Sequence, residues 1–567
     1  MESKVEAWKE NNRIFINVPF ALKNKVKTIP GAKWHPHRRL WTFPFSYLTL
    51  KNIINTFSSN IILDDELQKT LEEGDVYEKA LKLKTAENLP NPPVCKGDDW
   101  LHQRRAFWWA KDLPAFLLDM WMGSGKTRVA INIIQNWHPN GNVKVLIACP
   151  SNVIPVWKEQ IELHAAVPWN VVLLPAGTSI AKRRKIAEEA INNIKEGIIT
   201  ALVCNYEGVW RSTLGEFILK QYWDVVVADE SHHLKAPGSK QSLFFAKLHK
   251  KSGRRICLSG TPLHDRPLDI YGQARFLVPE VFGTNFTKFR DKYAEMGGYG
   301  NYQILYYKNV DDFRNKYEYF TFSVGRNEIL TDLPPIIYTR RVCKLDDAEN
   351  KVYKKLNDQL AVAVNDGTVT AGNVLSKIMK LQEITSGFIK DDTGSEIKIG
   401  ESKKKLLIEV LEELPEDEPV VVFCRFTHDL DIVHEAAAEV GRKSYELSGR
   451  RRELDQWKRG SAGEVIAVQP KACSEGVSMH KARYIIDYSL SYSLGEYDQT
   501  RSRLQRPEQT RQVVSIALVA EGTIDESIYK AIEKKEEIID FVINKYKTKG
   551  WLWWKKEKLL SCHGFRK

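Results

Sequence analysis

Phe116-Leu117-Leu118-Asp119-Met120-Trp121-Met122-Gly123-Ser124-Gly125-Lys126-Thr127 starts apolar, turns through two glycines, and runs on into the apolar stretch Val129 to Ile134. A strand, a glycine turn and a helix in this order are the architecture of a phosphate-binding loop. Gly123, Ser124 and Gly125 let backbone N–H groups face a polyphosphate closely, and the helix start adds partial positive charge. Lys126 is placed to reach the β- and γ-phosphates, and Thr127 to offer its hydroxyl to Mg2+. Met120 stands where the first glycine of such loops is usual. Read alone, the stretch leaves two alternatives, ATP binding and a purely structural strand–turn–helix.

A second stretch decides between them. Asp224-Val225-Val226-Val227-Ala228-Asp229-Glu230 is a β-branched run that ends in two carboxylates. A buried parallel strand delivers such a pair to the sheet's carboxyl edge, where open α/β sheets bind ligands. Asp229 is suited to holding Mg2+, and Glu230 to orienting and deprotonating an attacking water. A strand capped by solvated acids is the alternative, and the phosphate loop about a hundred residues upstream argues against it.

The bulk properties set outer limits. A chain of 567 residues is too long for one core and divides into several domains. With 43% hydrophobic and 28% charged residues it has the composition of a soluble globular protein. No apolar run is long enough to span a bilayer, and Met1-Glu2-Ser3-Lys4 does not open a signal peptide. An intracellular, soluble protein is expected, cytoplasmic or nuclear, without a membrane partner. Eight cysteines show no CxxC spacing; Cys149, Cys204, Cys257 and Cys424 lie in strand-like runs and read as buried thiols. The net charge of +12 fits a polyanion partner.

Along the chain, residues 1–62 read as a small α+β module. Ile29-Pro30-Gly31 forces a turn, and Trp34 and Trp41 flank a basic turn carrying Arg38 and Arg39, with Lys33 beside it. The two tryptophans are either the module's core or, with these cations, a nucleic-acid contact. Residues 63–95, acidic and then proline-rich, read as a connector. Residues 96–275 form a first α/β lobe. Gln103, on a helix just ahead of the phosphate loop, has the donor and acceptor an adenine edge requires. Strand-like runs at Val143–Cys149, Ala201–Asn205 and Ile256–Leu258 alternate with helices, so the sheet is parallel and doubly wound.

Asp229-Glu230-Ser231-His232-His233-Leu234-Lys235 and Leu258-Ser259-Gly260-Thr261-Pro262-Leu263 resemble motifs of superfamily-two helicases, and the Swi/Snf-type DNA translocases most closely. Cys149-Pro150-Ser151 with Trp157-Lys158, Phe276-Leu277-Val278-Pro279 and Asp332-Leu333-Pro334-Pro335 extend the resemblance over residues 96 to 535. It implies two RecA-like lobes, residues 96–275 and 401–526, with a helical insertion at 276–400. It also implies ATP hydrolysis with Mg2+ and DNA, duplex or branched, as partner. Ser259, Gly260, Thr261 and, in the second lobe, Gly476 are implied to couple hydrolysis to movement. Gln499-Thr500-Arg501-Ser502-Arg503-Leu504-Gln505-Arg506 is similar to the family's last motif, which makes Gln499, Arg503 and Arg506 catalytic. Three-residue spacing sets both arginines on one helical face. The stretch from Ile29-Pro30-Gly31 to Trp41-Thr42-Phe43 is similar to the HARP module of annealing helicases.

Met120 and Trp121 replace acidic residues usual in the family, Cys473 and Ser474 a glycine-rich turn, and Gln505 a histidine. Two rival readings stay open: a strand-separating RNA or DNA helicase, and a hydrolysis-deficient clamp. Residues 527–567 read as a helix and a basic tail whose Trp551, Trp553 and Trp554 could dock on the protein, stack on bases or graze a membrane.

Overall fold

The structure, a computed structural model, describes residues 5–10, 13–139, 143–263, 265–298, 300, 303–325, 336–358, 361–364, 367–370, 374–472, 478–504, 509 and 511–543. Residues up to 329 belong to one compact unit and residues 330–538 to a second.

The N-terminal sheet comprises β1 (Val5–Glu10), β2 (Arg13–Asn17), β3 (Lys33–His35), β4 (Leu40–Pro44) and β5 (Ile61–Leu63), in the order β3-β4-β2-β1-β5. All its pairs are antiparallel except β1 with β5. Its core is aliphatic with two phenylalanines: Val5, Ile14, Ile16, Phe43, Leu50, Ile53 and Phe57 are buried. The tryptophans do not form it. Trp41 packs partly buried against that core and Trp34 stays 43% exposed, because β3 is the edge strand.

The first large sheet takes β6 (Ala115–Met120), β7 (Val143–Cys149), β8 (Trp169–Leu174), β9 (Ile199–Asn205), β10 (Trp223–Asp229) and β11 (Ser252–Ser259). Past the hairpin of β12 (Ala294–Gly297) and β13 (Gln303–Tyr307), β14 (Thr321–Val324) completes it. The order β14-β6-β11-β10-β7-β9-β8 is parallel throughout. Both faces are covered by helices, which is why β7, β9 and β10 are nearly continuous apolar runs rather than alternating ones. Cys149, Cys204 and Cys257 are buried among them as free thiols.

Two stretches differ from their expected character. Residues 63–95 carry the helices Asp65–Glu73 and Val76–Leu81, and Tyr77 is buried in the core of the first large sheet. Its hydroxyl donates to Ala115 O at 2.7 Å. The residues between 276 and 400 are not only helical. Thr-Phe-Ser-Val at 321–324 has strand character and adds β14 to the first sheet.

The second unit holds β15 (Ile337–Cys343), the hairpins β16 (Ala361–Val364) with β17 (Gly367–Thr370) and β18 (Phe388–Lys390) with β19 (Glu396–Lys398), then β20 (Val420–Phe423), β21 (Ser444–Leu447), β22 (Val465–Val468), β23 (Tyr484–Asp487) and β24 (Val514–Ala520). Its main sheet, β15-β24-β23-β20-β22-β21, is again all parallel. The architecture is therefore two parallel α/β lobes preceded by a small N-terminal α+β module. Among the described residues, no helix is long and apolar enough to cross a membrane.

Candidate active site

Three neighbouring strands of the first sheet, β6, β11 and β10, end side by side. They release the phosphate loop, the Ser259-Gly260-Thr261 turn and the Asp229-Glu230 pair at one carboxyl edge.

The loop leaves β6 with Gly123 at φ +81° and Gly125 at φ +82°, a left-handed region that glycine enters freely. The helix Lys126–Trp137 starts immediately, so Thr127 lies in its first turn. Lys126 Nζ donates to Met120 O at 3.1 Å. Ser124 is buried and its hydroxyl has no hydrogen-bond partner among the described residues. Gln103 is buried beneath the loop: Nε2 donates to Ser124 O at 2.9 Å and Oε1 accepts from Trp100 N at 2.9 Å. That uses one donor and one acceptor of an amide that has two of each, so one pair remains for a base edge. The fit at Gly125 is tight, since a Cβ there would run into Gln103 Nε2.

Asp229 and Glu230 are 6% and 5% exposed. Asp229 Oδ2 accepts from Trp157 Nε1 at 2.8 Å, Oδ1 accepts the Glu230 N–H at 3.0 Å, and the Tyr206 hydroxyl donates to its carbonyl at 2.7 Å. Burial raises the Asp229 carboxyl well above the usual range and neighbouring Glu230 raises it further, while the Lys126 charge opposes both. A cation beside the pair would oppose both effects, as Lys126 does. Glu230 has φ +47° and ψ +54°, a left-handed conformation that costs a non-glycine residue about 1–2 kcal/mol. His232 Nδ1 lies 3.2 Å from Glu230 Oε2.

Two residues that carry no signal in the sequence hold this edge together. Asp119, at the end of β6, lies in register with Ser259 on one side and Ser323 on the other. It accepts from the Tyr317 hydroxyl at 2.7 Å and the Ser323 hydroxyl at 3.1 Å. Burial pushes its carboxyl up to about 6, against those two donors and the Lys126 charge. Gln273 bridges the other two segments: Oε1 accepts from the Ser231 hydroxyl and Nε2 donates to Pro262 O, both at 2.7 Å. The turn from β11 also abuts the phosphate loop, because a Cβ on Gly260 would sit 3.2 Å from Met122 Cγ and 3.3 Å from Met120 O. Thr261 N–H donates to Ser259 Oγ at 3.1 Å. On the far side, Trp121 N–H donates to Val324 O at 3.1 Å and ties the loop to the end of β14.

Gly272 sets the distance between the Gln273 helix, Ile270–Leu277, and the turn after Glu230. A Cβ there would run into the Leu234 carbonyl oxygen. Gly272→Ala is expected to destabilise the fold by about 1–3 kcal/mol, as overpacking does. Denaturant unfolding checks this; a variant within about 0.5 kcal/mol of wild type means the helix moves away freely.

In the second unit, of the two arginines Arg503 and Arg506, only Arg503 lies within the described residues. The helix Leu494–Arg501 ends before Arg503, so a shared helical face does not account for that residue. Arg501 turns inward to Asp487 on β23, and the Ser502 hydroxyl donates to Gln499 O at 2.7 Å, closing the last turn. Arg503 is 2% exposed, and its Nε and Nη2 have no hydrogen-bond partner among the described residues. A buried guanidinium in that state is suited to an anion. Arg506, Gly476, Cys473, Ser474, Gln505 and Asp332 to Pro335 lie outside the described residues, as does the tryptophan-rich tail.

Residues 101–387 match the SNF2-related domain, and residues 402–508 the Helicase conserved C-terminal domain. The chain belongs to the SNF2-related family. An uncharacterized ATP-dependent helicase of Mycoplasma pneumoniae is 22% identical to this SNF2-related chain over 510 residues, 87% of the chain and 45% of the relative. The human DNA annealing helicase and endonuclease ZRANB3 is 23% identical over 460 residues, 76% of the chain and 39% of the relative. The chain thus spans less than half the length of these relatives. The Sulfolobus solfataricus SWI2/SNF2 ATPase core in complex with dsDNA aligns at 21% identity, covering 80% of this chain and 95% of that one with a TM-score of 0.38.

Proposed function

We propose that this SNF2-related protein hydrolyses ATP with Mg2+ and uses the cycle to translocate on or remodel duplex or branched DNA. The observation that carries the reading is the common edge of β6, β11 and β10, where a glycine loop with Lys126 and Thr127 meets a buried carboxylate pair. Lys126 exchanges the Met120 carbonyl for a phosphate oxygen, and loop N–H groups with the Ser124 hydroxyl bind the rest of the polyphosphate. The Thr127 hydroxyl and the Asp229 carboxylate hold the cation. Held by these two residues, Mg2+ would supply the charge neutralisation that phosphoryl transfer needs. Glu230 orients the attacking water and takes its proton, and Arg503 and Arg506 supply positive charge to the transferring phosphoryl group. Gln273, joined to both Ser231 and Pro262, carries any change at the carboxylates to the Ser259-Gly260-Thr261 turn. The N-terminal sheet is proposed to be a HARP-like module.

The test is ATP turnover measured with duplex DNA, forked DNA, single-stranded DNA and RNA in turn. Duplex or forked DNA should stimulate most. Equal or greater stimulation by RNA would overturn DNA as the track, and no stimulation by any of the four would overturn the motor reading.

A further inference from the structure

A second cavity lies within the first unit, where the Pro30-Gly31 turn of the N-terminal module faces the helix Phe286–Tyr293. Its volume is about 360 Å³, enough for a ligand of nucleotide size. It is too small to enclose a duplex, which would have to bring two backbones and the paired bases into it. Lys27, Lys288, Lys292 and Lys316 line it together with Trp41 and Tyr293, and among the described residues no carboxylate does.

The charges around it are left uncompensated. Asp312, outside the lining, is 2.8 Å from Lys292 and 3.4 Å from Lys316, and it also accepts from the Tyr293 hydroxyl. One carboxylate therefore serves two ammonium groups. Lys27 and Lys288 are exposed and have no ion-pair partner among the described residues. Burial, and then the Lys292 charge, pull the Lys316 ammonium down to about 8, a strain that a bound anion relieves. Outside the mouth, Trp41 contacts Trp34 with ring centres 5.3 Å apart, and Trp34 is 43% exposed. Exposed Arg39 lies in the turn between β3 and β4, Arg38 is held by Glu10 at 2.9 Å, and Lys33, paired in register with Thr42, is on the strand face opposite Trp34 and Trp41.

We infer that this cavity binds one strand of nucleic acid, with backbone phosphates at Lys27 and Lys288 and a base against Trp41. A strand fits better than a free nucleotide because the exposed Trp34 ring continues the ring surface from Trp41, as a platform for successive bases does. The inference deepens the DNA reading and rests on it only for the identity of the polymer.

The experiment uses the full chain carrying Lys27→Glu with Lys288→Glu, two exposed positions outside the ATP site. Binding of a fluorescent oligo-dT is followed by anisotropy over a salt series, and 4-thiothymidine cross-links are mapped by mass spectrometry. The expected result is a loss of affinity of about tenfold or more, with a salt slope shallower by about 1.4 for two lost phosphate contacts. Wild type should cross-link to the peptides that contain Trp41 or Tyr293, and the variant should not, while duplex-stimulated ATP turnover stays at the wild-type level. Wild-type affinity and salt slope in the variant would overturn the inference even if duplex DNA still drives ATP turnover. Displacement of the oligonucleotide by equimolar pyrophosphate would overturn it in favour of a small-anion site. Failure of duplex DNA to stimulate the wild type would instead count against the motor reading, leaving the oligonucleotide result to stand by itself.

Discussion

Glu230→Gln is expected to lower ATP turnover about 10²–10⁴-fold, the usual contribution of a general base, with nucleotide affinity nearly unchanged. The amide preserves the side chain's shape and can still orient a water, but it cannot take the proton. The backbone gives the substitution its precision. Glu230 N–H donates to Asp229 Oδ1, and the left-handed turn that allows this bond does not depend on the terminal group of residue 230. Gln therefore tests the chemistry and leaves Asp229 in its hydrogen bonds. Steady-state turnover with saturating duplex DNA, paired with equilibrium binding of a non-hydrolysable ATP analogue, measures the two effects separately. Turnover close to that of wild type would remove Glu230 from the base role and return attention to the clamp reading.

Arg503→Ala should reduce turnover by about 10³–10⁵, the range arginine fingers contribute in phosphoryl transfer. Its effect on ATP affinity should be much smaller, since Lys126 and the loop bind the polyphosphate. The same substitution should not lower stability as the loss of a satisfied buried cation would. Among the described residues Nε and Nη2 have no partner to abandon, and removing a buried charge with two unsatisfied donors relieves desolvation. Loss of turnover with unchanged or increased stability separates an anion-seeking residue from a structural one. Should Arg503→Ala unfold the second unit while leaving residual turnover at wild-type level, the guanidinium is structural and the catalytic charge comes from elsewhere.

The parts of the site that one segment determines were legible in the sequence. A β-branched run ending in Asp229-Glu230 can only be a buried strand with acids at its edge, and the glycine turn before Lys126 has few other uses. Parts that depend on register between distant segments were not. Asp119 looks like a polar interruption in β6 until β14, some two hundred residues later, brings Ser323 alongside it. Gln273 reads as an ordinary helix residue because its partners, Ser231 and Pro262, lie on two other segments. The spacing of the arginines could not show that the helix ends at Arg501, whose side chain pairs with Asp487, so that Arg503 lies beyond it. The sequence left the tryptophans of the N-terminal module between core and surface, because only the fold shows that phenylalanines and aliphatics already fill a small core.

The bond from Trp121 N–H to Val324 O bears on how force could travel through this molecule. Val324 ends β14, and from there the chain leads on to Ile337, where β15 begins the second unit's sheet. The peptide linkage between the units is thus riveted, at its point of departure, to the residue that opens the nucleotide loop. One hydrogen bond therefore separates the last residue of β14 from the glycine loop. A mechanical relay of this kind needs no cooperation from the side chains on the sheet's faces. Replacing Val324 by proline, which keeps its carbonyl but removes the N–H, leaves this bond possible, whereas displacing the end of β14 should register first at the loop that Trp121 opens.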